Sequence, residues 1–104
     1  MKLSTADKKK YRTIGHQLDP IVTISENGIS EGVINELNRA LSDHELIKVK
    51  LAIADRDARA EVARVVAGEV RAELVQVIGK VILLLRRNSN AKPNLSNLVR
   101  HGLS

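Results

Sequence analysis

Residues 20–50 read PIVTISENGISEGVINELNRALSDHELIKVK, and their pattern decides the fold. Pro20 breaks any preceding helix, and Ile21, Val22, Thr23 and Ile24 form a β-branched run suited to a short strand. Ser25-Glu26-Asn27-Gly28 follows as a turn, because Asn-Gly readily supplies positive φ. Ser30 is placed to cap a helix in which Val33, Ile34, Leu37, Ala40 and Leu41 share one face and Glu31, Asn35, Glu36 and Arg39 lie outside it. His44-Glu45 then begins a strand of period two. Ile47, Val49, Leu51 and Ile53 point one way, and Leu46, Lys48, Lys50 and Ala52 the other. A turn that opens backbone amides at a helix start, with lysines on the next strand, has the make-up of a phosphate site. Glu26 within the turn counts against that reading.

Outward from this unit, Ser4 is an N-cap with Asp7 three residues on, and Tyr11, Ile14 and Leu18 recur at helical spacing, predicting a helix over residues 5–16. Downstream, Asp55 caps a third helix with Ala58, Val62, Val65 and Val66 as its inner stripe and Gly68 near its end. Arg56, Arg59, Arg64 and Arg71 interleave with acids there and read as a solvated surface. Residues 74–78 and 81–85 are two apolar runs joined by Gly79-Lys80 as a tight hairpin. The order is α-β-α-β-α-β-β, an α/β fold with three helices on a four-stranded mixed sheet. Its two strand-helix-strand passages predict right-handed crossovers and parallel pairs where the strands are neighbours. The run VIGKVILLL predicts strands covered on both faces. Residues 1–87 form the domain. The polar segment NSNAKPNLSNLVRHGLS, 88–104, reads as a mobile or loosely docked basic tail with one weak helical turn over 95–99.

At 104 residues the chain holds one core, and with 43% apolar residues, one Tyr and no Phe or Trp that core is aliphatic. The absence of cysteine excludes disulfides, thiolate metal sites and cysteine nucleophiles and fits a reducing compartment. Apolar runs are too short for a membrane span, and MKLSTADKKKYRT lacks the apolar centre of a signal peptide, so a cytoplasmic protein is expected. The formal charge of +5 is uneven. Residues 1–19 carry five cations against Asp7 and Asp19, and residues 86–104 carry four cations and no acid. Basic ends around a slightly acidic middle favour a polyanionic partner, with solubility alone as the bland alternative. No nucleotide-phosphate, dinucleotide or Ser-His-Asp motif is present, and Asp55 and Asp57 are explained as a cap and a first-turn acid. His16, His44 and His101 are far apart and lack acids at ligand spacing, so no catalytic residue, metal or cofactor is expected. Tyr11 is the one aromatic that could stack on a base, and its spacing assigns it to the core.

The segments LSTADKKKYRTIGHQLDPIV, NGISEGVINEL, HELIKVK and VQVIGKVILLLRR, spanning residues 3 to 87, resemble the CRM domain family, in particular its bacterial single-domain YhbY-like members. The resemblance implies a fold similar to the C-terminal domain of initiation factor three. It also implies RNA binding, with large-subunit ribosomal RNA precursors as the partner of bacterial members and introns as that of organellar relatives. The family's GxxG loop falls on Ser25-Glu26-Asn27-Gly28, where serine replaces the first glycine; Ser25, Asn27 and Gly28 are carried over as contacts. Lys48 and Lys50 join them through their shared strand face. Lys8, Lys9, Lys10 and Arg12 on the first helix, and Lys80, Arg86 and Arg87 at the last hairpin and strand end, are further phosphate contacts, each with a solvated surface as the alternative. The resulting expectation is a non-catalytic RNA-binding protein, monomeric when free, on ribosomal RNA of an assembling large subunit. The alternative is a protein-interaction module of a ribonucleoprotein complex with incidental RNA contact.

Overall fold

Three short polar side chains start the three helices. Ser4 Oγ accepts from the Asp7 amide at 3.1 Å, Ser30 Oγ from Val33 at 3.1 Å, and Asp55 Oδ2 from Ala58 at 2.8 Å. Each supplies an acceptor that the first turn of a helix lacks. A computed structural model of the chain describes residues 3–102, so Lys2 of the basic N-terminal segment lies outside the described residues. The helices are α1 (Thr5–Gly15), α2 (Glu31–His44) and α3 (Arg56–Glu69). The strands are β1 (Pro20–Ser25), β2 (Leu46–Ala52), β3 (Glu73–Ile78) and β4 (Val81–Leu85), and a 3-10 turn spans Val99–His101. Order and element types agree with the sequence pattern.

The strands lie in the order β1-β2-β4-β3. The β1-α2-β2 passage is a parallel crossover with Val22 beside Val49 and Ile24 beside Leu51. The β2-α3-β3 passage joins strands that are not neighbours, because β4 lies between them and is antiparallel to both. The hairpin explains this. Gly79 has φ 55° and Lys80 keeps a negative φ, the sign pattern of a II′ turn that returns β4 directly alongside β3. β4 is also the most apolar strand and suits an interior position.

One sheet face packs α2 and α3 around Ile24, Val49, Leu51, Ile82 and Leu84. The inner stripe of α3 is Ala63, Val66 and Ala67, followed by Val70; Val65, placed in that stripe by the sequence reading, is exposed. The other face packs α1, through Tyr11 and Ile14, with Leu46, Val75, Leu83, Leu85 and Leu98. A Cβ at Gly15 would sit 2.7 Å from a methyl of buried Leu83, so α1 reaches the sheet because position 15 has none. This second layer covers only part of its face. Thr23, Lys50 and Ile78 remain exposed, in contrast to the two-sided coverage the apolar runs predict.

The C-terminal segment is packed rather than loosely attached. Glu45 does not begin β2; it has φ 62°, caps α2 and is buried. Its carboxylate accepts from the Asn88 amide and the Ser96 hydroxyl, each at 2.7 Å. Asn97 Nδ2 donates to Leu46 O at 2.7 Å, and Leu98 is fully buried against the α1 layer. The polar residues that suggest a free tail are thus the partners of a buried carboxylate and a strand carbonyl. Beside them Lys92 pairs with Asp43 and holds its carboxyl below the ordinary value.

α3 ends in a Schellman motif. The Ala72 amide donates to Ala67 O at 2.9 Å and Arg71 to Gly68 O at 3.2 Å. Gly68 lies within the last turn, so the left-handed position falls to Arg71 at φ 55°. Arg71→Gly is expected to raise stability by about 0.5–1 kcal/mol in denaturant unfolding, since glycine carries no Cβ penalty there. An unchanged or lower midpoint would show that the Arg71 side chain compensates for its backbone.

Candidate nucleic-acid interface

The alternation of β2 and its parallel register with β1 put Thr23 beside Lys50 and Ser25 beside Ala52 on the incompletely covered face. Lys48 and Lys50 point from this face, Lys48 half-buried and Lys50 exposed. Lys80 sits at the same end, where its carbonyl accepts from Leu51 at 2.6 Å. From Lys48 the face continues to a cleft of about 300 Å³, lined by His16, the C-cap of α1, together with Gln76, Ile78 and Leu83. Lys8 and Arg12 precede His16 at four-residue spacing, so they lie on the same helix flank, about 12 and 6 Å along the axis. Lys9 faces solvent, and Lys10 borders a different groove with Thr13, Gln17 and His101. The structure therefore brings Lys50, Lys48, Lys80, Arg12 and Lys8 along one path and leaves Lys9 and Lys10 beside it.

The glycine turn lies at the β1 end of that path. Gly28 has φ 80° with open space where a Cβ would be, and its amide donates to Ser25 O at 2.9 Å. Ser25 Oγ accepts from the Asn27 amide at 3.3 Å. Two amides of the turn are therefore occupied internally, and the Val33 amide is held by Ser30. The amides of Glu31 and Gly32, at the first two positions of α2, have no partner within the helix and remain for a ligand. Glu26 is turned to another use. Its Oε1 accepts from the Ala54 amide at 2.7 Å, which ties this turn to the β2-α3 connection and explains an acid in the loop.

Arg86 is not a free cation. Its Nη1 donates to Asn38 Oδ1 at 2.7 Å and Val70 O at 3.0 Å, and its Nη2 to Asn38 O at 2.8 Å and Ser42 Oγ at 3.0 Å. Burial lowers its pKa from the ordinary value, with no opposing charge involved. This corrects its assignment as a phosphate contact: the guanidinium joins the ends of α2 and α3 to the end of β4. Arg87 is exposed at that same end, away from Lys48 and Lys50.

The ion pairs seen among the described residues are Arg64–Glu61 and Lys92–Asp43. The cations of the path thus have no carboxylate partner there, which keeps their charge available to a polyanion. Among the described residues no group of three or more His, Asp or Glu side chains could hold a metal ion. Nor is any helix long and apolar enough to cross a membrane. His16 could have been found from its spacing to Lys8 and Arg12; Gln76, placed by pairing with Leu83, had no local signal.

Comparison with known proteins adds a second line of support. The family model for the CRS1 / YhbY (CRM) domain matches residues 3–86. A probable RNA-binding protein of Pseudomonas aeruginosa is 49% identical over 100 residues, covering 96% of each chain. An RNA-binding protein of Haemophilus influenzae is 41% identical over 93 residues, covering 89% of this chain and 94% of its own. The solution structure of a hypothetical protein from Staphylococcus aureus superposes with a TM-score of 0.76 at 35% identity, covering 86% of this chain and 93% of that one.

Proposed function

Because the chain belongs to the CRS1 / YhbY (CRM) domain family, we propose that it is a non-catalytic RNA-binding protein that holds the RNA backbone along the open sheet face. The observation that carries this reading is the row of cations, without carboxylate partners among the described residues, running from Lys50 and Lys48 toward Arg12 and Lys8. Phosphates neutralise such a row with release of counterions, so affinity depends on salt. The glycine turn and the first amides of α2 set the position of the strand at one end. Relatives named as RNA-binding proteins support the same partner class. Fluorescence anisotropy with a labelled single-stranded RNA is expected to show affinity falling by at least an order of magnitude between about 50 and 200 mM salt. Flat affinity across that range would remove phosphate contact as its source.

The finer assignment we infer is ribosomal RNA in a precursor of the large subunit, in the cytoplasm, with the free protein monomeric. Its support is the resemblance carried by HELIKVK and VQVIGKVILLLRR. Exposed Val77 and Ile78 on the β3-β4 hairpin favour the second reading, docking onto a protein. Gradient sedimentation of extract separates the two. Association with a large-subunit precursor that ribonuclease abolishes supports the first, and association that survives ribonuclease supports the second.

A further inference from the structure

We propose that the cavity closed by the C-terminal segment receives a single splayed-out nucleotide of the bound RNA, an assignment that rests on the RNA-binding reading above. The cavity, of about 370 Å³, lies where the end of α1, the start of β1, the α2-β2 junction and residues 97–101 meet. That volume is within the range of small-ligand sites. Its apolar wall is formed by Leu18 and Ile21, and its cations are Lys48 and Arg100. Neither cation has a carboxylate partner among the described residues.

Two imidazoles separated by 57 positions in the chain line the same space, His44 and His101. Nδ1 of His44 lies 2.8 Å from Leu95 O, and Nδ1 of His101 lies 2.7 Å from Asn97 O. A carbonyl oxygen only accepts, so both Nδ1 atoms carry the proton and both rings are held in place. Histidine rings and arginine planes are surfaces on which an unstacked RNA base rests. The sequence has no aromatic platform, yet folding assembles these ring and guanidinium planes from distant positions.

The remaining polar groups favour a nucleotide over a bare anion. Asp19 also lines the cavity, and its carboxylate repels free phosphate while accepting from base N–H groups. Gln17, whose Oε1 lies 3.4 Å from His101 Nε2, offers its amide nitrogen to a base edge, and Asn97, whose Nδ2 is held by Leu46 O, offers its Oδ1. Lys48 borders both this cavity and the sheet-face cleft, so a strand held along the face has a cation in common with the subsite. Four residues of β-structure, about 13 Å, separate Lys48 from the Ala52 position beside the glycine turn.

The test uses the full chain. In amide NMR spectra, AMP, GMP, CMP or UMP is expected to shift Gln17, Lys48, Asn97 and His101 saturably, and inorganic phosphate is not. Against homopolymer ribo-oligonucleotides, Arg100→Ala should weaken the preferred base at least about fivefold and erase the preference, as loss of a stacking contact does. Arg100→Lys should recover little of it, because an ammonium has no plane. Arg100 is exposed and its side chain makes no hydrogen bond among the described residues, so thermal unfolding should be unaltered. Unchanged affinity and preference in Arg100→Ala, or equal shifts with inorganic phosphate, would overturn the subsite and leave the RNA-binding reading standing. Failure of the wild-type chain to bind any of the oligonucleotides would remove that reading and the subsite with it.

Discussion

Arg86→Ala is expected to lower unfolding stability by about 2–4 kcal/mol, the loss of a partly buried, charge-assisted hydrogen-bond cluster. The guanidinium donates to Val70 O, Asn38 O, Asn38 Oδ1 and Ser42 Oγ, and alanine leaves these acceptors facing a gap. Val70 caps α3, and Asn38 and Ser42 lie in the last two turns of α2, so one side chain fastens both helices to the end of β4. For a chain of this size the loss corresponds to a fall in melting temperature of roughly 10–25 °C. Arg86→Lys should recover less than half, since a single ammonium cannot reach both helices at once. If Arg86→Ala unfolds at the wild-type temperature while RNA affinity falls, the side chain serves the ligand after all.

The second large effect belongs to the sheet face. Combining Lys48→Ala with Lys50→Ala should weaken binding of single-stranded RNA on the order of tenfold at about 0.1 M salt. The slope of log affinity against log salt should flatten by about 1.4, about 0.7 for each lost phosphate contact. Neither lysine has a carboxylate partner among the described residues, so stability should change by no more than about 0.5 kcal/mol. Arg64→Ala is the matched control, because Arg64 pairs with Glu61 on the outer surface of α3 behind the opposite sheet face. Equal weakening in the control would reduce the effect to net charge. An unaltered double variant would place the interface elsewhere.

What could be read from the chain was local. Ser4, Ser30 and Asp55 cap the helices they were assigned to, and the alternation from Leu46 places Lys48 and Lys50 on the face away from Val49 and Leu51. What could not be read depends on partners far along the chain. Ser96 and Asn97 look like linker residues until Glu45 and Leu46, 51 positions earlier, take their hydrogen bonds. Arg86 looks like one more surface cation beside Arg87, and only the approach of Asn38 and Ser42 reveals its use. Glu26 reads in the sequence as an acid set against an anion site, and its acceptor role toward Ala54 becomes visible only when the two loops meet. Strand order escaped for the same reason, since periodicity describes one strand and says nothing of which strand stands beside it.

The position of β4 has a consequence for how the molecule assembles. It is the last strand among the described residues and an interior one, pairing with β2 and β3, which do not pair with each other. Until residues 81–85 are present, β2 can pair only with β1 and α3 has no continuous surface beneath it. A nascent or truncated chain ending before Val81 therefore holds β2 and β3 with no strand between them and bare apolar edges, prone to wrong association. The sheet closes through pairings distant in sequence, which is the topology of a slower folder.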